Sequence, residues 1–214
     1  MSQPQDREPL ASLMLYRGLS WSVVRPLLHG YLKGRIYGVN QIPHQGGAII
    51  VSNHASYFDP PLLACAMNRP VAFMAKEELF KVPLLSQAIS LYGAYPVKRG
   101  SGDRGAIRAA LNALANGWLV GVFLEGTRTK DGRIYEPKLG AAMIASKAQV
   151  PLIPVSLWGT EKILRRGSSL PRSVPVTIRV GTSIQPPRSP KREELDRVTL
   201  QCQEAIHALH DQGR

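Results

Sequence analysis

The segment 48–60 reads AIIVSNHASYFDP and sets a histidine, His54, close to a carboxylate, Asp59. An imidazole with one nitrogen hydrogen-bonded to a carboxylate has its tautomer fixed and its other nitrogen left basic. Such a pair is a general base able to take a proton from a hydroxyl. Spacing decides whether the pair can form. Five steps along a continuous helix would set the two side chains about 140° apart, out of contact. They meet if 53–58 is a turn at the end of a strand and Asp59 opens the next helix. Pro60 suits the first turn of that helix. On spacing alone, the same residues also read as a helix-capping Asp59 beside a polar loop histidine.

Further stretches carry chemistry. FLEGTR (123–128) follows an apolar run. A Gly126-Thr127 turn after a buried strand can offer backbone N–H groups, and Arg128 adds a planar fork that matches phosphate oxygens. GAYPVKR (93–99) ends in Arg99, and AKEELFKVP (75–83) contains Lys76. A rival lies at GSGDRG (100–105), where Gly100, Gly102 and Gly105 spell a dinucleotide-binding fingerprint, with Glu125 about where a ribose-binding acid should stand. That reading would make the chain an oxidoreductase. Against it, the preceding strand ends in two cations, where a buried parallel strand should be apolar. It also leaves His54, Asp59 and Arg128 unexplained. The plainer reading is a flexible turn with Asp103 near a helix start. There is no G-x-S-x-G elbow, Walker A loop or HExxH, and no metal site is expected. Histidines 29, 44, 207 and 210 lack a partner pattern, and the last two read as surface residues of a C-terminal helix.

These groups need a frame to hold them. The chain of 214 residues is long enough for one domain with a real core. Apolar runs at 48–52, 71–74, 94–98, 118–124, 151–157 and 174–180 read as strands. Helical patterns cover 59–67, 84–91, 103–116, 138–148 and 191–210. The alternation predicts an α/β fold, with a mixed, largely parallel central sheet covered by helices. Residues 10–33 predict two helical pieces, 10–25 and 27–33, interrupted at Pro26. Trp, Tyr and basic side chains mixed into apolar surface suit a membrane interface, and a helix pair packed on the domain is the alternative. The chain therefore divides into a membrane-associating segment 1–33 and a domain 34–214. No secretory signal is visible, and no run of 18 apolar residues could span a bilayer. Lys plus Arg number 27 against 15 Asp plus Glu, a net +12 that predicts an anionic partner. Nucleic acid is not expected, since no recognised binding motif accompanies the charge. Cys65 and Cys202 are too few and too far apart for a metal cluster and suit a reducing compartment.

NHASYFDP resembles the His-x4-Asp motif of the glycerolipid acyltransferases, most closely the bacterial 1-acyl-sn-glycerol-3-phosphate acyltransferases. GAYPVKR, FLEGTR and VPLIPV (150–155) are similar to that family's other three blocks, in the same order. Leu124 stands where the family commonly has Pro. The resemblance implies a glycerol-3-phosphate acyltransferase-like fold, often with an N-terminal helical anchor. It implies acyl transfer from a thioester of acyl carrier protein or coenzyme A to the sn-2 hydroxyl of lysophosphatidic acid, giving phosphatidic acid. A sister enzyme acting on another lysolipid or on glycerol 3-phosphate would carry the same blocks. His54 and Asp59 become the catalytic pair. Arg99, Glu125, Gly126, Thr127 and Arg128, with Lys76, become the phosphate-binding set. Val150, Pro151, Ile153 and Pro154 fall on the acyl side. Backbone N–H groups near His54 or at Gly126 become the candidate oxyanion donors. No cofactor is implied, the thioester being a substrate. The partner surface would be an anionic membrane, met on its cytoplasmic face.

Overall fold

The computed structural model describes residues 14, 18, 20–76, 94–97, 104–164 and 170–214, and the backbone alone at 74–76 and 94–97. The strand that ends at the His54 turn is β2, Ala48–Ser52, and every one of its residues is buried. It is buried on both faces because strands flank it and helices cover it, as its unbroken apolar run requires. Around it lie β1 (Arg35–Tyr37), β3 (Val71–Lys76), β4 (Ala94–Val97), β5 (Leu119–Phe123), β6 (Leu152–Trp158) and β7 (Thr177–Val180). They form one seven-stranded sheet in the order β1-β7-β6-β2-β5-β3-β4. All neighbours run parallel except β6 and β7. The chain therefore leaves β5 on one side of β2 and enters β6 on the other. Ligands of open α/β sheets bind outside the carboxyl ends of strands at such a switch, and His54 follows the carboxyl end of β2.

Among the described residues, four α-helices complete the frame: α1 (Asp59–Met67), α2 (Arg104–Ala115), α3 (Gly140–Ala148) and α4 (Arg192–Asp211). Alternation along β2 divides the core into two layers. Ala48 and Ile50 join Leu62, Leu63, Phe73 and Ile153 on the α1 side. Ile49 and Val51 join Ala110, Ile144, Val198 and Ile206 on the side of α2, α3 and α4.

The expected elements recur within a few residues wherever the chain is described. β2 and α1 carry the expected bounds. The strand β1 was not expected, because its three residues RIY are too short and too exposed to show a period. The expected helix 84–91 lies outside the described residues.

Pro26 does not end the N-terminal helix. The chain instead winds in wide turns over Ser20–Val24 and Pro26–Tyr31, and the N–H of Leu32 reaches the Leu27 carbonyl five residues back, at 2.9 Å. Widened winding absorbs the missing proline donor. Ser20, Val24, Leu28 and Leu32, every fourth residue, are buried, and the three apolar ones join the α1-side core. Trp21, Val23 and Tyr31 face outward, exposed, with the Arg25 guanidinium 4.1 Å from the centre of the Trp21 ring. This segment thus packs on the domain with its inner face and presents aromatics with its outer one. Among the described residues, no helix is long and apolar enough to cross a membrane.

Candidate active site

After Ser52 the chain turns through 53–58 and enters α1 at Asp59. The His54 Nδ1 lies 2.8 Å from the Asp59 Oδ2. Asp59 is fully buried, while 14% of the His54 side chain stays accessible. The same Oδ2 accepts the backbone N–H groups of Ala55 at 2.6 Å and Ser56 at 2.7 Å. Asp59 is thus not the cap of α1. Phe58 holds that position, and the carboxylate reaches backward into the turn. Pro60 and Pro61 have no N–H, so the first turn of α1 has little to cap. Because Oδ2 acts only as an acceptor, Nδ1 carries the proton, and Nε2 is left as a base.

The imidazole lies on an aromatic floor that sequence reading missed. The ring of Phe123 stacks under His54 with centroids 3.9 Å apart and planes 16° apart. Phe73 supports Phe123 at 6.0 Å. Gly121 makes this possible, since a Cβ there would fall 2.2 Å from the Phe73 ring. Asn53 fixes the backbone beside the base. Its side chain donates to the carbonyls of Gly132 at 2.8 Å and Leu157 at 2.9 Å, and accepts from the Leu157 N–H at 2.8 Å. The buried amide is thereby fully used, joining β2 to β6 and to the 132 loop. The signal for Phe123 was its register opposite Ser52, which pairing reveals and sequence does not.

The FLEGTR segment crosses the same end of the sheet. Leu124 is buried, and its N–H donates to the Ser52 carbonyl at 2.9 Å. A proline there would have no N–H to give, so Leu124 adds a rung beyond the β2–β5 ladder. Gly126 turns the chain with φ of +74°. Its N–H is bound to the Phe123 carbonyl at 2.9 Å. The N–H groups of Ala55, Ser56 and Gly126, near the expected oxyanion position, are therefore engaged internally. Glu125 accepts the N–H of Tyr135 at 2.7 Å, a loop-holding contact and not one that would attract phosphate. Gly126, Thr127 and Arg128 are exposed. The Arg128 guanidinium lies 3.6 Å over the ring of Tyr57. The next residue, Thr129, donates its N–H to the His54 carbonyl at 2.9 Å. The two segments are thus tied together beside the base.

α4 holds the far side of this loop. The Ile134 N–H donates to His207 Nε2 at 3.1 Å, the Gln203 amide donates to the Ile134 carbonyl at 2.8 Å, and Arg133 pairs with Asp211. Neither His207 nor His210 is the surface residue expected. His210 is buried with Nδ1 3.2 Å from the Ser156 hydroxyl. Burial pushes its imidazole below the ordinary value; Glu161 and Asp211 oppose that push, and Arg133 and His207 add to it. Their positions on α4 gave no sign of this, since their partners Ile134 and Ser156 lie 73 and 54 residues away in sequence.

The other expected residues disperse. Arg99 lies outside the described residues, as does the side chain of Lys76. Val150 and Pro151 precede β6, at the amino ends of the strands and away from His54, where Pro151 accepts from the Ile49 N–H. Ile153 is buried in the α1-side core. Pro154 pairs with Val51 inside the sheet and lines a groove of about 1040 Å³ between 181–186 and α4 that includes no residue around His54. Of the glycine fingerprint, Gly100 and Gly102 lie outside the described residues, and Gly105 is in α2. The strand before it, β4, is an edge of the sheet, whereas a dinucleotide fingerprint belongs at the switch point. Cys65 and Cys202 are both free and buried. Among the described residues, no cluster could hold a metal ion.

Comparison with known proteins gives a consistent result. A family model described as Acyltransferase matches residues 33–158. The chloroplastic 1-acyl-sn-glycerol-3-phosphate acyltransferase BAT2 of Brassica napus is 33% identical over 144 residues, 66% of this chain and 42% of that protein. The 1-acyl-sn-glycerol-3-phosphate acyltransferase of Bacillus subtilis is 29% identical over 126 residues, 58% of this chain and 62% of that one. The chain spans about two fifths of the length of the plant relatives BAT2 and LPAT1. The crystal structure of the 1-acyl-sn-glycerophosphate (LPA) acyltransferase PlsC from Thermotoga maritima superposes with a TM-score of 0.77 at 29% identity. That match covers 97% of this chain and 84% of the other.

Proposed function

This chain belongs to the Acyltransferase family, and on that premise we propose that it transfers an acyl group from a thioester to the sn-2 hydroxyl of 1-acylglycerol 3-phosphate. The observation that carries the reading is the His54–Asp59 pair, with Nε2 left basic at the carboxyl end of β2. Nε2 takes the proton of the attacking hydroxyl, and Asp59 stabilises the imidazolium that forms. The oxygen bonds to the thioester carbonyl carbon. The C–S bond breaks, and the departing thiolate takes the proton back from His54. Products are phosphatidic acid and a free thiol. The step balances without a metal or a resident cofactor.

Arg128, with Arg99 and Lys76 as further candidates, holds the acceptor phosphate. Glu125, Gly126 and Thr127 shape the loop that carries Arg128. Holding the acceptor so that its hydroxyl faces Nε2 lowers the barrier by several kcal/mol. The donor is a thioester of acyl carrier protein or coenzyme A, both anionic and suited to a chain of net charge +12. The outward Trp21, Val23 and Tyr31 with Arg25 suit an interface position on an anionic membrane, peripheral and on the cytoplasmic face. Flotation with anionic liposomes, compared with a Trp21→Ser, Tyr31→Ser variant, tests that part; equal flotation refutes it.

The reaction is tested by incubating the full chain with 1-acylglycerol 3-phosphate and either thioester, with His54→Ala as control. Phosphatidic acid from the parent alone is the expected result. Product from both proteins would remove His54 as the base. Product only with another lysolipid or with glycerol 3-phosphate would move the acceptor within the same family.

A further inference from the structure

Tyr57 is two-thirds exposed and adds little to the core, yet it sits on the most tightly bonded turn of the site. On one side of it, Ser56 donates its N–H to Asp59; on the other, the Phe58 N–H donates to the Ser56 hydroxyl at 3.3 Å. The turn places Tyr57 beside the FLEGTR segment, and its ring covers one face of the Arg128 guanidinium at 3.6 Å. Among the described residues, no hydrogen bond or ion pair engages Arg128. A stacked guanidinium keeps its N–H donors in its own plane, at the edge, free for an anion. Thr129 ties the other end of this short path to the His54 carbonyl. Base and guanidinium are therefore held in register through one turn and one ring contact.

We propose that Tyr57 is a positioning residue that seats the Arg128 guanidinium for the acceptor's phosphate and so sets the enzyme's hold on a phosphorylated acceptor. The proposal rests on the acyl-transfer reading above. A cation–π contact between exposed partners is modest, so the effect expected is a several-fold one on acceptor binding, not loss of turnover.

The experiment compares the parent chain with Tyr57→Leu and Tyr57→Phe, by steady-state kinetics with 1-acylglycerol 3-phosphate and the thioester that supports turnover. Leu keeps apolar bulk without a ring, and Phe keeps the ring without the hydroxyl. Tyr57→Leu should raise the acceptor KM about 2- to 5-fold, leaving kcat and the donor KM within twofold. Tyr57→Phe should restore the parent acceptor KM. An unshifted acceptor KM in the Leu variant overturns the proposal. So does a Phe variant as impaired as Leu, or a loss confined to kcat. A parent that acylates no lysophosphatidate overturns the functional reading, and this proposal with it. Parent turnover with an unshifted Leu variant overturns the proposal alone.

Discussion

Asp59 carries a structural and a chemical task on one oxygen, and two substitutions separate them. Its Oδ2 accepts from His54 and from the backbone N–H groups of Ala55 and Ser56. Asp59→Ala strands both backbone donors. At about 1–3 kcal/mol for each buried donor left unpaired, the cost is about 2–6 kcal/mol, with the lower half favoured because Ala55 is only half-buried. Asp59→Asn keeps an oxygen in place for all three donors. It loses charge assistance and leaves an amide nitrogen where Oδ1 is buried without a partner. A cost of about 1–3 kcal/mol follows. The chemical task fails in both. A neutral amide does not stabilise an imidazolium, and comparable carboxylate-to-amide changes in His-based sites lower kcat by about 10⁴-fold. Urea denaturation should therefore rank parent, Asn, Ala in falling stability. Turnover should fall at least about a thousandfold in the Asn variant, with the chain still folded at the assay temperature. An Asn variant within tenfold of the parent would remove Asp59 from the chemistry. An Ala variant as stable as Asn would show that the turn does not depend on the carboxylate.

Three further perturbations probe the supports of the site. Gly121→Ala sets a Cβ 2.2 Å from the Phe73 ring, so overpacking should cost about 1–3 kcal/mol and lower kcat by tilting Phe123 under His54. Phe73→Leu in the same chain should recover both, and failure to recover would refute the stacked-floor account. His210 is buried with its pKa below the ordinary 6.5, so the unfolded chain binds the extra proton first on acidification. The stability it allows is full above about 6.5 and falls as pH drops through that value. Melting temperature measured from about pH 7.5 to 5.5 should show this loss, and His210→Asn should flatten it; parallel curves would refute the assignment. Burial pushes the Cys202 thiol up to about 12 and Cys65 is also buried, so neither should react with an aromatic disulfide reagent until denaturant is added.

Local order was legible in the sequence to the extent that it is set locally. The apolar run AIIVS and the Asp-Pro-Pro start of α1 define their own limits, so β2 and α1 carry their expected bounds. His54 and Asp59 lie on one turn, and their contact could be argued from spacing. What escaped depends on pairing between distant segments. Phe123 becomes the floor only because it pairs with Ser52. Asn53 closes a network with residues 132 and 157. His207 and His210 looked solvated because their partners, Ile134 and Ser156, are brought to α4 by the fold. Pro26 misled for another reason: proline removes one hydrogen bond, and a wider turn accommodates the loss without a break.

The two halves of the site are held by very different means, and this bears on how it works. The base is overdetermined: its partner oxygen has three donors, its ring has a stacked floor, and its carbonyl is bound by Thr129. Little freedom remains in the imidazole, as a proton acceptor in a fixed transition-state geometry requires. Among the described residues, Arg128 is held by one ring face alone. A guanidinium so held can swing by a small angle at little cost and still end in register with the base. Capture of a phosphate can thus tolerate a range of approach directions, while proton transfer tolerates one. Substitutions at His54 and Asp59 should therefore act mainly on kcat, and those at the Tyr57–Arg128 contact mainly on acceptor KM. A kinetic series mixing the two effects at every position would contradict this division.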